Sequence, residues 1–352
     1  MKIAVGMSGG VDSSVAAFLL KNEGYDVCGV SMRVWPEKND LSSAPDSDCR
    51  AGDDKGIKKA GEVCRTLGIE HHVFDLSHEY ENTVLAYFKD EYRNGRTPNP
   101  CVVCNQIIKF GMLPLRALER LGAPAFATGH YAKLVSGPKD RIMLMKGKDE
   151  NKEQSYFLYR LNQKQLGAAI FPLGEMTKDD VKNIAREKGI PSWDEPDSQD
   201  FCMGDYRDIL NCDDESGEIV TIDGKVLGFY KGIWNYTVGQ RRGLGISSDK
   251  PLYVKAIEPS GNRVIVASKQ ETMRDSFTAG SFNWVSAESF DDANALTVKV
   301  RYSQKSLPCE AEALGGKVRI NLLEPQGEIA RGQSAVIYDG DILIGGGIIE
   351  YE

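Results

Sequence analysis

The sequence predicts an α/β fold: a Rossmann-like, doubly wound parallel sheet followed by a small linking domain and a C-terminal β-barrel. Three observations carry this prediction. Strand and helix patterns alternate up to about residue 135, as they do in parallel sheets with crossover helices. A turn rich in glycine and serine joins the first strand to the first helix. Beyond about residue 208, short β-rich runs are separated by Gly, Pro and Asn.

Apolar runs and helical spacing predict the elements in chain order. In the first part of the chain we expect strands at 2–6, 26–32, 72–76 and 125–129, and helices beginning at Val11 and covering 56–67, 80–93 and 178–188. In the second part we expect strands at 218–222, 228–230, 252–257, 263–267, 297–302, 317–322 and 335–338. Pro259-Ser260-Gly261-Asn262 predicts a hairpin turn. The expected domains are 1–207, catalytic, 208–276, small and β-rich, and 277–352, the barrel.

Composition and charge limit the class of protein. The chain has 352 residues, of which 27% are charged and 41% hydrophobic, an ordinary globular mixture. Its net charge of −8 disfavours a wholly basic nucleic-acid binder and leaves a local basic patch possible. We find no transmembrane run of about 18 apolar residues and no signal peptide. We therefore expect a cytoplasmic location. Because nothing in the sequence suggests a coiled coil or a long apolar patch, we also expect a monomer.

The turn after the first strand is the most informative segment. Residues 6–14 read Gly-Met-Ser-Gly-Gly-Val-Asp-Ser-Ser, between an apolar strand and a helix. Glycines let the backbone approach a ligand closely, and a helix N-terminus presents unpaired N–H groups to an anion. The sequence thus predicts a site for phosphate or pyrophosphate. The loop is neither a Walker A motif nor a dinucleotide fingerprint. It resembles the signature of N-type ATP pyrophosphatases, the PP-loop enzymes, which adenylate a carbonyl oxygen and release pyrophosphate.

Eight cysteines are too few for a disulfide scaffold at this length. Cys28 and Cys64 lie among apolar neighbours and are predicted to be buried in the core. Cys101 and Cys104 form a Cys-x-x-Cys pair after Pro98 and Pro100. This pair has three possible roles: half of a zinc site, inert core cysteines, or redox or sulfur chemistry. We favour redox or sulfur chemistry. A thiol near a helix N-terminus has a stabilised thiolate, which Lys109 and Arg96 would stabilise further.

A third segment extends the pattern. Residues 197–204 read Asp-Ser-Gln-Asp-Phe-Cys-Met-Gly and place Cys202 in a polar, loop-like setting. A PP-loop combined with Asn-Pro-x-x-x-Cys-Asn and Asp-Ser-Gln-x-x-Cys resembles the tRNA-specific 2-thiouridylases, the MnmA/TRMU family. The blocks at 128–132, 154–158, 236–244 and 300–302 continue the resemblance, which covers residues 3 to about 303.

The resemblance implies ATP-dependent 2-thiolation of the wobble uridine of tRNA. ATP, accompanied by Mg²⁺, would adenylate the C2 oxygen, and a cysteine persulfide would supply the sulfur. By position, Cys202 would carry the persulfide and Cys104 would be the nucleophile that releases the sulfur, leaving a disulfide between them. A persulfide-donor protein is the implied partner. Asp12 belongs to the catalytic set.

Binding residues also carry over by position. The implied ATP-binding residues are Gly6, Met7, Ser8, Gly9, Gly10, Val11, Asp12, Ser13, Met32 and Gly129. The implied tRNA-binding residues are Asn99, Pro100, Cys101, Lys152, Glu153, Gln154, Arg301 and Tyr302. His130 is open between a nucleotide contact and a strand cap. Arg93, Arg96, Arg241 and Arg242 would add local positive charge for RNA, whose binding should weaken with salt.

One position departs from the family. Many members carry Asp where this chain has Cys101. With Cys104 and Cys202, Cys101 could instead ligate an iron–sulfur cluster, the arrangement of related PP-loop thiolases. Two other functions compete: a PP-loop amidotransferase synthetase, which would need no paired loop cysteines, and a non-catalytic tRNA-binding protein.

Overall fold

The computed structural model describes residues 1–35, 54–191, 193 and 216–351. By contact it divides into two compact units, each described by itself. Unit 1 comprises residues 1–84, 101–204 and 341–343, and unit 2 comprises 85–100, 205–340 and 344–352. Cys202 and its flanking Asp-Ser-Gln segment lie outside the described residues.

Unit 1 is built on a parallel sheet. Its strands and helices are β1 (Lys2–Gly6), α1 (Val11–Asn22), β2 (Asp26–Arg33), α2 (Asp54–Leu67), β3 (Glu70–Asp75), α3 (Ser77–Tyr80), β4 (Ala125–Ala127), β5 (Ala132–Ser136), β6 (Ile142–Lys146), α7 (Gln163–Ala168), β7 (Ala169–Ile170) and α8 (Lys178–Glu187). Helix α4 (Ala86–Arg93) belongs to unit 2, and α5 (Pro100–Cys104) leads through a π-helical stretch, Asn105–Met112, into α6 (Leu113–Leu121).

The strand order is β3-β2-β1-β4-β7, and every pairing in it is parallel. The order reverses direction at β1, so the crevice between the carboxyl ends of β1 and β4 is where a doubly wound sheet binds its ligand. Ile3, Val5 and Met7 pack on one face of the sheet with apolar residues of α1, α2 and α8. The predicted Rossmann-like sheet is confirmed.

Two helices of unit 1 show how local sequence sets their ends. Helix α8 begins with a capping box, in which Thr177 and Asp180 each accept from the other's backbone N–H. Gly189, with φ of +63°, follows its end. Helix α1 has Gly10 at its N-cap and no side-chain cap, which leaves the amides of its first turn available to a ligand.

The helix predicted over 80–93 is interrupted. Helix α3 ends at Tyr80, a π-helical turn occupies Glu81–Leu85, and α4 follows. The helical stretch 100–121 is long enough and apolar enough to match a membrane span by length and composition, so the expectation that the chain has no such run is wrong. Its apolar residues Val102, Ile108 and Phe110 are buried within unit 1, as in the core helix of a globular protein.

Unit 2 contains two β structures. Strands β8 (Ser216–Thr221), β9 (Val226–Lys231), β10 (Tyr253–Glu258) and β11 (Arg263–Ala267) form a sheet in the order β10-β11-β8-β9. The predicted turn at 259–262 joins β10 and β11, where the Asn262 N–H donates to the Pro259 carbonyl at 3.0 Å.

The C-terminal part is the predicted barrel. Its strands are β12 (Arg274–Trp284), β13 (Leu296–Lys299), β14 (Leu307–Leu314), β15 (Lys317–Gln326), β16 (Ser334–Asp339) and β17 (Ile342–Glu350). Pairing of β12 with β17 closes the order β12-β15-β14-β13-β16-β17. The expected strand at 297–302 ends earlier, at Lys299, because residues 301–303 form a turn.

Candidate active site

The loop after β1 is held in shape by its own hydroxyl groups. Ser13 Oγ donates to the Gly10 carbonyl at 3.1 Å and lies 3.2 Å from Ser8 Oγ. Ser14 Oγ donates to the same carbonyl at 2.8 Å. Within the loop the Ser8 N–H also donates to Ser13 Oγ at 3.3 Å and the Gly10 N–H to Ser8 Oγ at 3.4 Å, so the loop is folded back on the first turn of α1.

Two glycines allow the backbone of neighbouring segments to pack closely against this loop. Gly9 has φ of +86°, and a Cβ there would lie 2.7 Å from the Gly56 carbonyl oxygen. Gly129, after β4, is tighter: its Cβ would lie 2.6 Å from the backbone carbon of Asp12 and 2.7 Å from the Ser13 nitrogen. The structure thus brings Gly129 to the PP-loop, two positions that the sequence separates widely. Met32 lies half-buried near the end of β2.

Asp12 is the centre of a charged cluster. Lys178 Nζ donates to both Asp12 carboxylate oxygens, at 2.7 Å and 2.8 Å. The Tyr131 hydroxyl donates to Asp12 Oδ1 at 2.7 Å. The Lys178 side chain is 8% exposed and that of Asp12 is 32% exposed, so the carboxylate reaches the surface of the site while the ammonium lies behind it. Sequence reasoning missed both partners; the only signal was Lys178 at the start of a capped helix.

This arrangement fits the triphosphate of ATP. Uncapped amides at the start of α1 favour an anion. The Asp12 charge is compensated by Lys178 and therefore repels a polyphosphate less. Among the described residues no three His, Cys, Asp or Glu side chains group together as metal ligands.

The cysteine segment is helical. Helix α5 begins at Pro100, so Cys101 stands in its first turn and Cys104 lies one turn further on. Both side chains are half-buried. The protein atoms around the Cys104 sulfur raise its pKa, and the charge of Lys109 lowers that pKa by a smaller amount. The prediction of a stabilised Cys104 thiolate is therefore wrong, because desolvation outweighs the nearby cation and the helix dipole fades beyond the first turn.

The other predicted cations and cysteines have clear places. Arg96, in unit 2, is paired with the buried Glu91 through Nε at 2.9 Å. Cys28 and Cys64 are buried, as predicted, and burial raises the pKa of Cys64 to about 12. The iron–sulfur alternative finds no group of three ligands among the described residues, since Cys202 lies outside them.

His130 is a buried neutral side chain. Its Nδ1 lies 2.7 Å from Thr128 Oγ1, and its ring packs against Phe110 and Phe171. Burial lowers its pKa well below the ordinary value. The imidazole therefore stays uncharged at neutral pH, beside the carboxyl end of β4.

The segment expected to contact tRNA in unit 1 is internally bonded. The Tyr131 N–H donates to Gln154 Oε1 at 3.1 Å, and the Gln154 N–H donates back to the Tyr131 carbonyl at 3.0 Å. Glu153 is buried and accepts from the Ser155 N–H. Lys152 is half-buried. The Gln154 bonds tie this segment to Tyr131, the residue that donates to Asp12.

In unit 2, the residues that precede the cysteines are held by the barrel. Gln333 Nε2 donates to the carbonyls of Thr97 and Pro98, at 3.1 Å and 3.0 Å. The Thr97 N–H donates to the Arg331 carbonyl at 2.8 Å, and the Asn99 N–H donates to the Tyr87 hydroxyl at 3.3 Å. The backbone before Asn99 and Pro100 is thus fixed. Sequence reasoning missed Gln333, which no local motif marks.

Family models match nearly all of the chain. A model described as a tRNA methyl transferase HUP domain matches residues 1–205. One described as a tRNA methyl transferase PRC-barrel domain matches 210–268, and one described as an aminomethyltransferase beta-barrel domain matches 274–349. These descriptions mention methyl transfer, whereas the similar curated proteins bear another name.

The chain is 45% identical over 358 aligned residues to the tRNA-specific 2-thiouridylase MnmA 1 of Caldanaerobacter subterraneus subsp. tengcongensis, covering 99% of this chain and 98% of that protein. It is 42% identical over 363 residues to the tRNA-specific 2-thiouridylase MnmA of Endomicrobium trichonymphae, with 99% of both chains covered. A solved 4-thiouridine synthetase–RNA complex with bound ATP aligns with a TM-score of 0.37 and 18% identity, over 57% of this chain and 44% of that one.

Proposed function

Because the chain belongs to the tRNA-specific 2-thiouridylase (MnmA) family, we propose that it thiolates the wobble uridine of tRNA at C2, at the expense of ATP. The observation that carries the proposal is similarity along the whole chain to proteins of that name. The PP-loop, with Asp12 held between Lys178 and Tyr131, supports an adenylation step. A thiol at Cys104 supports a sulfur-transfer step better than methyl transfer.

The first step is activation of the base. The loop from Gly6 to Ser13 and the start of α1 bind the ATP phosphates, with Met32 and Gly129 beside the nucleotide. The C2 oxygen of uridine attacks the α-phosphorus, pyrophosphate leaves, and AMP remains on the oxygen. Lys178 keeps Asp12 in place and adds positive charge while the phosphates separate. Mg²⁺, bound with ATP, supplies further charge neutralisation.

The second step is sulfur transfer. Cys202, loaded as a persulfide by a donor protein, attacks C2 with its terminal sulfur and displaces AMP. The Cys104 thiolate then attacks the Cys202 sulfur, the 2-thiocarbonyl leaves with the bond electrons, and a Cys104–Cys202 disulfide forms. Alternatively, Cys104 attacks the persulfide first and frees sulfide, which displaces AMP. Either route needs a two-electron reductant to restore both thiols.

We propose that Asn99, Pro100 and Cys101 contact the target base, and that Lys152, Glu153, Gln154, Arg301 and Tyr302 contact the rest of the tRNA. The fixed backbone before Asn99 supports this assignment, since base recognition requires a preorganised contact. We also propose a cytoplasmic monomer with domains at 1–207, 208–276 and 277–352.

The test uses anaerobically purified protein with ATP, Mg²⁺, a persulfide donor and unmodified tRNA. The RNA is digested and 2-thiouridine is measured by mass, with iron assayed on the same sample. We expect thiouridine from iron-free protein. Cys202→Ser should still release pyrophosphate in a tRNA-dependent way but form no thiouridine, whereas Asp12→Ala should lose pyrophosphate release.

Three results would contradict parts of this proposal. Normal thiolation by Cys202→Ser with a persulfide donor would remove its assigned role. Product only from iron-containing protein would replace the persulfide route with a cluster held by Cys101, Cys104 and Cys202. No tRNA-dependent pyrophosphate release from the wild-type protein would remove the function itself.

A further inference from the structure

A turn in unit 2 presents two adjacent arginines to solvent. Between Tyr236 and Leu244, both buried in the core of the β8–β11 sheet, the chain leaves the core and returns to it. Arg241 and Arg242, at the tip, are exposed. From the sequence both are expected to add positive charge for RNA, but the proposed function assigns neither of them a contact.

The turn is rigid by construction. Gln240 uses both ends of its side-chain amide: Oε1 accepts from the Thr237 N–H and Nε2 donates to the Arg242 carbonyl, each at 3.0 Å. The Gly239 N–H donates to the Val254 carbonyl at 2.8 Å, and the Val254 N–H donates to the Gln240 carbonyl at 2.9 Å. These four bonds fix the backbone on both sides of Arg241.

Glycines and a barrel residue complete the support. Gly239 and Gly243 have φ of +89° and +76°, conformations that glycine adopts without strain. Arg301 Nη2 donates to the Val238 carbonyl at 2.8 Å. Arg301 itself is one of the residues proposed to contact tRNA, so the turn is bonded directly to that part of the surface.

The two guanidinium groups have no acidic partner among the described residues. Some other arginines do pair with carboxylates, as in Arg33 with Asp54, Arg116 with Glu79 and Arg263 with Glu258. Within the part of the chain that the structure describes, no hydrogen bond or ion pair involves the side chain of Arg241 or Arg242. Glu328 packs beneath Gly239, where its carboxylate accepts from Gln304 Nε2 at 3.2 Å.

We propose that Arg241 and Arg242 form a binding site for the phosphodiester backbone of the RNA substrate. Guanidinium groups match phosphate geometry, and a preorganised turn loses little entropy when they bind. In a chain of net charge −8, binding RNA requires local cations that are not neutralised within the protein. The site rests on the proposed function in one respect, that the substrate is tRNA.

The test is tRNA binding by the full-length protein from about 50 to about 300 mM salt, measured by fluorescence anisotropy. The variants are Arg241→Ala/Arg242→Ala, the charge-preserving Arg241→Lys/Arg242→Lys, and Arg263→Ala as a control that removes an exposed but paired arginine of the same sheet. ATP binding and the melting temperature are measured on every variant.

We expect the double alanine variant to bind about tenfold or more weakly at about 0.1 M salt. Its slope of log affinity against log salt should be about 1 to 2 units shallower than that of the wild type, because one or two phosphate contacts are lost. The double lysine variant should keep most of the slope, and Arg263→Ala should match the wild type. ATP binding and melting temperature should not change in any of them.

An unchanged slope in the double alanine variant overturns the site and leaves the proposed function standing. If that variant also thiolates normally with inorganic sulfide but fails with a persulfide-donor protein, the arginines bind the donor instead. If the wild-type protein binds no tRNA, the proposed function and the site both fall.

Discussion

The ammonium of Lys178 bridges both carboxylate oxygens of Asp12, at 2.7 Å and 2.8 Å, across 166 positions of sequence. The contact joins the first turn of α1 to the first residue of α8. Tyr131, after β4, donates to the same carboxylate. Two other segments of unit 1 thus hold the Asp12 side chain in place through hydrogen bonds. The ammonium of Lys178 compensates its negative charge in the absence of a nucleotide.

Replacing this cation should disable the ATP site. Lys178→Met leaves the Asp12 carboxylate without its counter-charge, so we expect ATP affinity to fall at least about tenfold. The free energy of unfolding should drop by about 1–2 kcal/mol, a modest value because Asp12 is partly exposed. Isothermal titration with ATP and urea unfolding measure the two effects. Lys188→Met, at an exposed lysine just after the same helix, is the control, and equal behaviour of the two variants would remove the role of Lys178.

Adding one methyl group at Gly129 should displace the PP-loop. The Cβ of Gly129→Ala would lie 2.6 Å and 2.7 Å from backbone atoms of Asp12 and Ser13, which cannot move independently of α1. We expect ATP binding to be lost and stability to fall by about 1–3 kcal/mol. Gly167→Ala, within helix α7, is the matched control. Its Cβ would lie 3.4 Å from Ile142, an ordinary contact, and alanine is favoured over glycine inside a helix by up to about 1 kcal/mol. Full ATP affinity in Gly129→Ala would show that the close approach is unimportant.

The reactivity of Cys104 should rise steeply with pH. Burial raises the pKa of this thiol, so at neutral pH its thiolate fraction is below that of a free cysteine. The rate of alkylation by iodoacetamide, resolved for Cys104 by mass spectrometry, should increase about tenfold per pH unit through the neutral range. Lys109→Met removes the charge that lowers this pKa and should slow the reaction at each pH, whereas Lys164→Met should not. A rate that levels off below about pH 8 would contradict the raised pKa.

Acid should destabilise the protein through two histidines. Burial lowers the pKa of His71 and, further, that of His130, whereas in the unfolded chain both titrate near about 6.5. Stability is therefore complete above that pH and is lost as the pH falls below it, by up to about 1.4 kcal/mol per pH unit for each histidine. Urea unfolding at about pH 7.5 and about pH 5.5 measures the loss. His130→Gln should weaken the dependence and the exposed His78→Gln should not; identical pH dependence in both would refute this origin.

Local patterns predicted the parts of the fold that local chemistry determines. The apolar strand, the glycine-serine turn and the following helix were predicted from residues 2–22 alone, and the turn between β10 and β11 from its four residues. The π-helical turn at Glu81–Leu85 was not predicted, because one extra residue in a turn barely alters the spacing of apolar positions. Strand and helix ends differ from expectation by one to a few residues for similar reasons.

The site was predicted only in part, because its remaining features arise from tertiary packing. Nothing near Lys178 or Tyr131 in sequence indicates that both reach Asp12. Cys104 shows the same limit in another way: its place near a helix N-terminus, with Lys109 and Arg96 nearby in sequence, predicted a stabilised thiolate, but burial of the sulfur raises its pKa. The bonds from Gln333 to the carbonyls of Thr97 and Pro98 join residues far apart in sequence, so no local pattern predicts them.

Unit 1 includes three residues from far along the chain, 341–343. Ile342 pairs with Met145 of β6, and the Lys146 N–H donates to the Asp341 carbonyl at 2.9 Å. During synthesis on the ribosome, one edge of β6 therefore remains without its pairing strand until residues 341–343 have been made. A fragment cut at residue 207 would keep that edge unpaired for good, and open edges promote aggregation. Attempts to isolate the nucleotide-binding half should accordingly supply residues 341–343 as a linked strand.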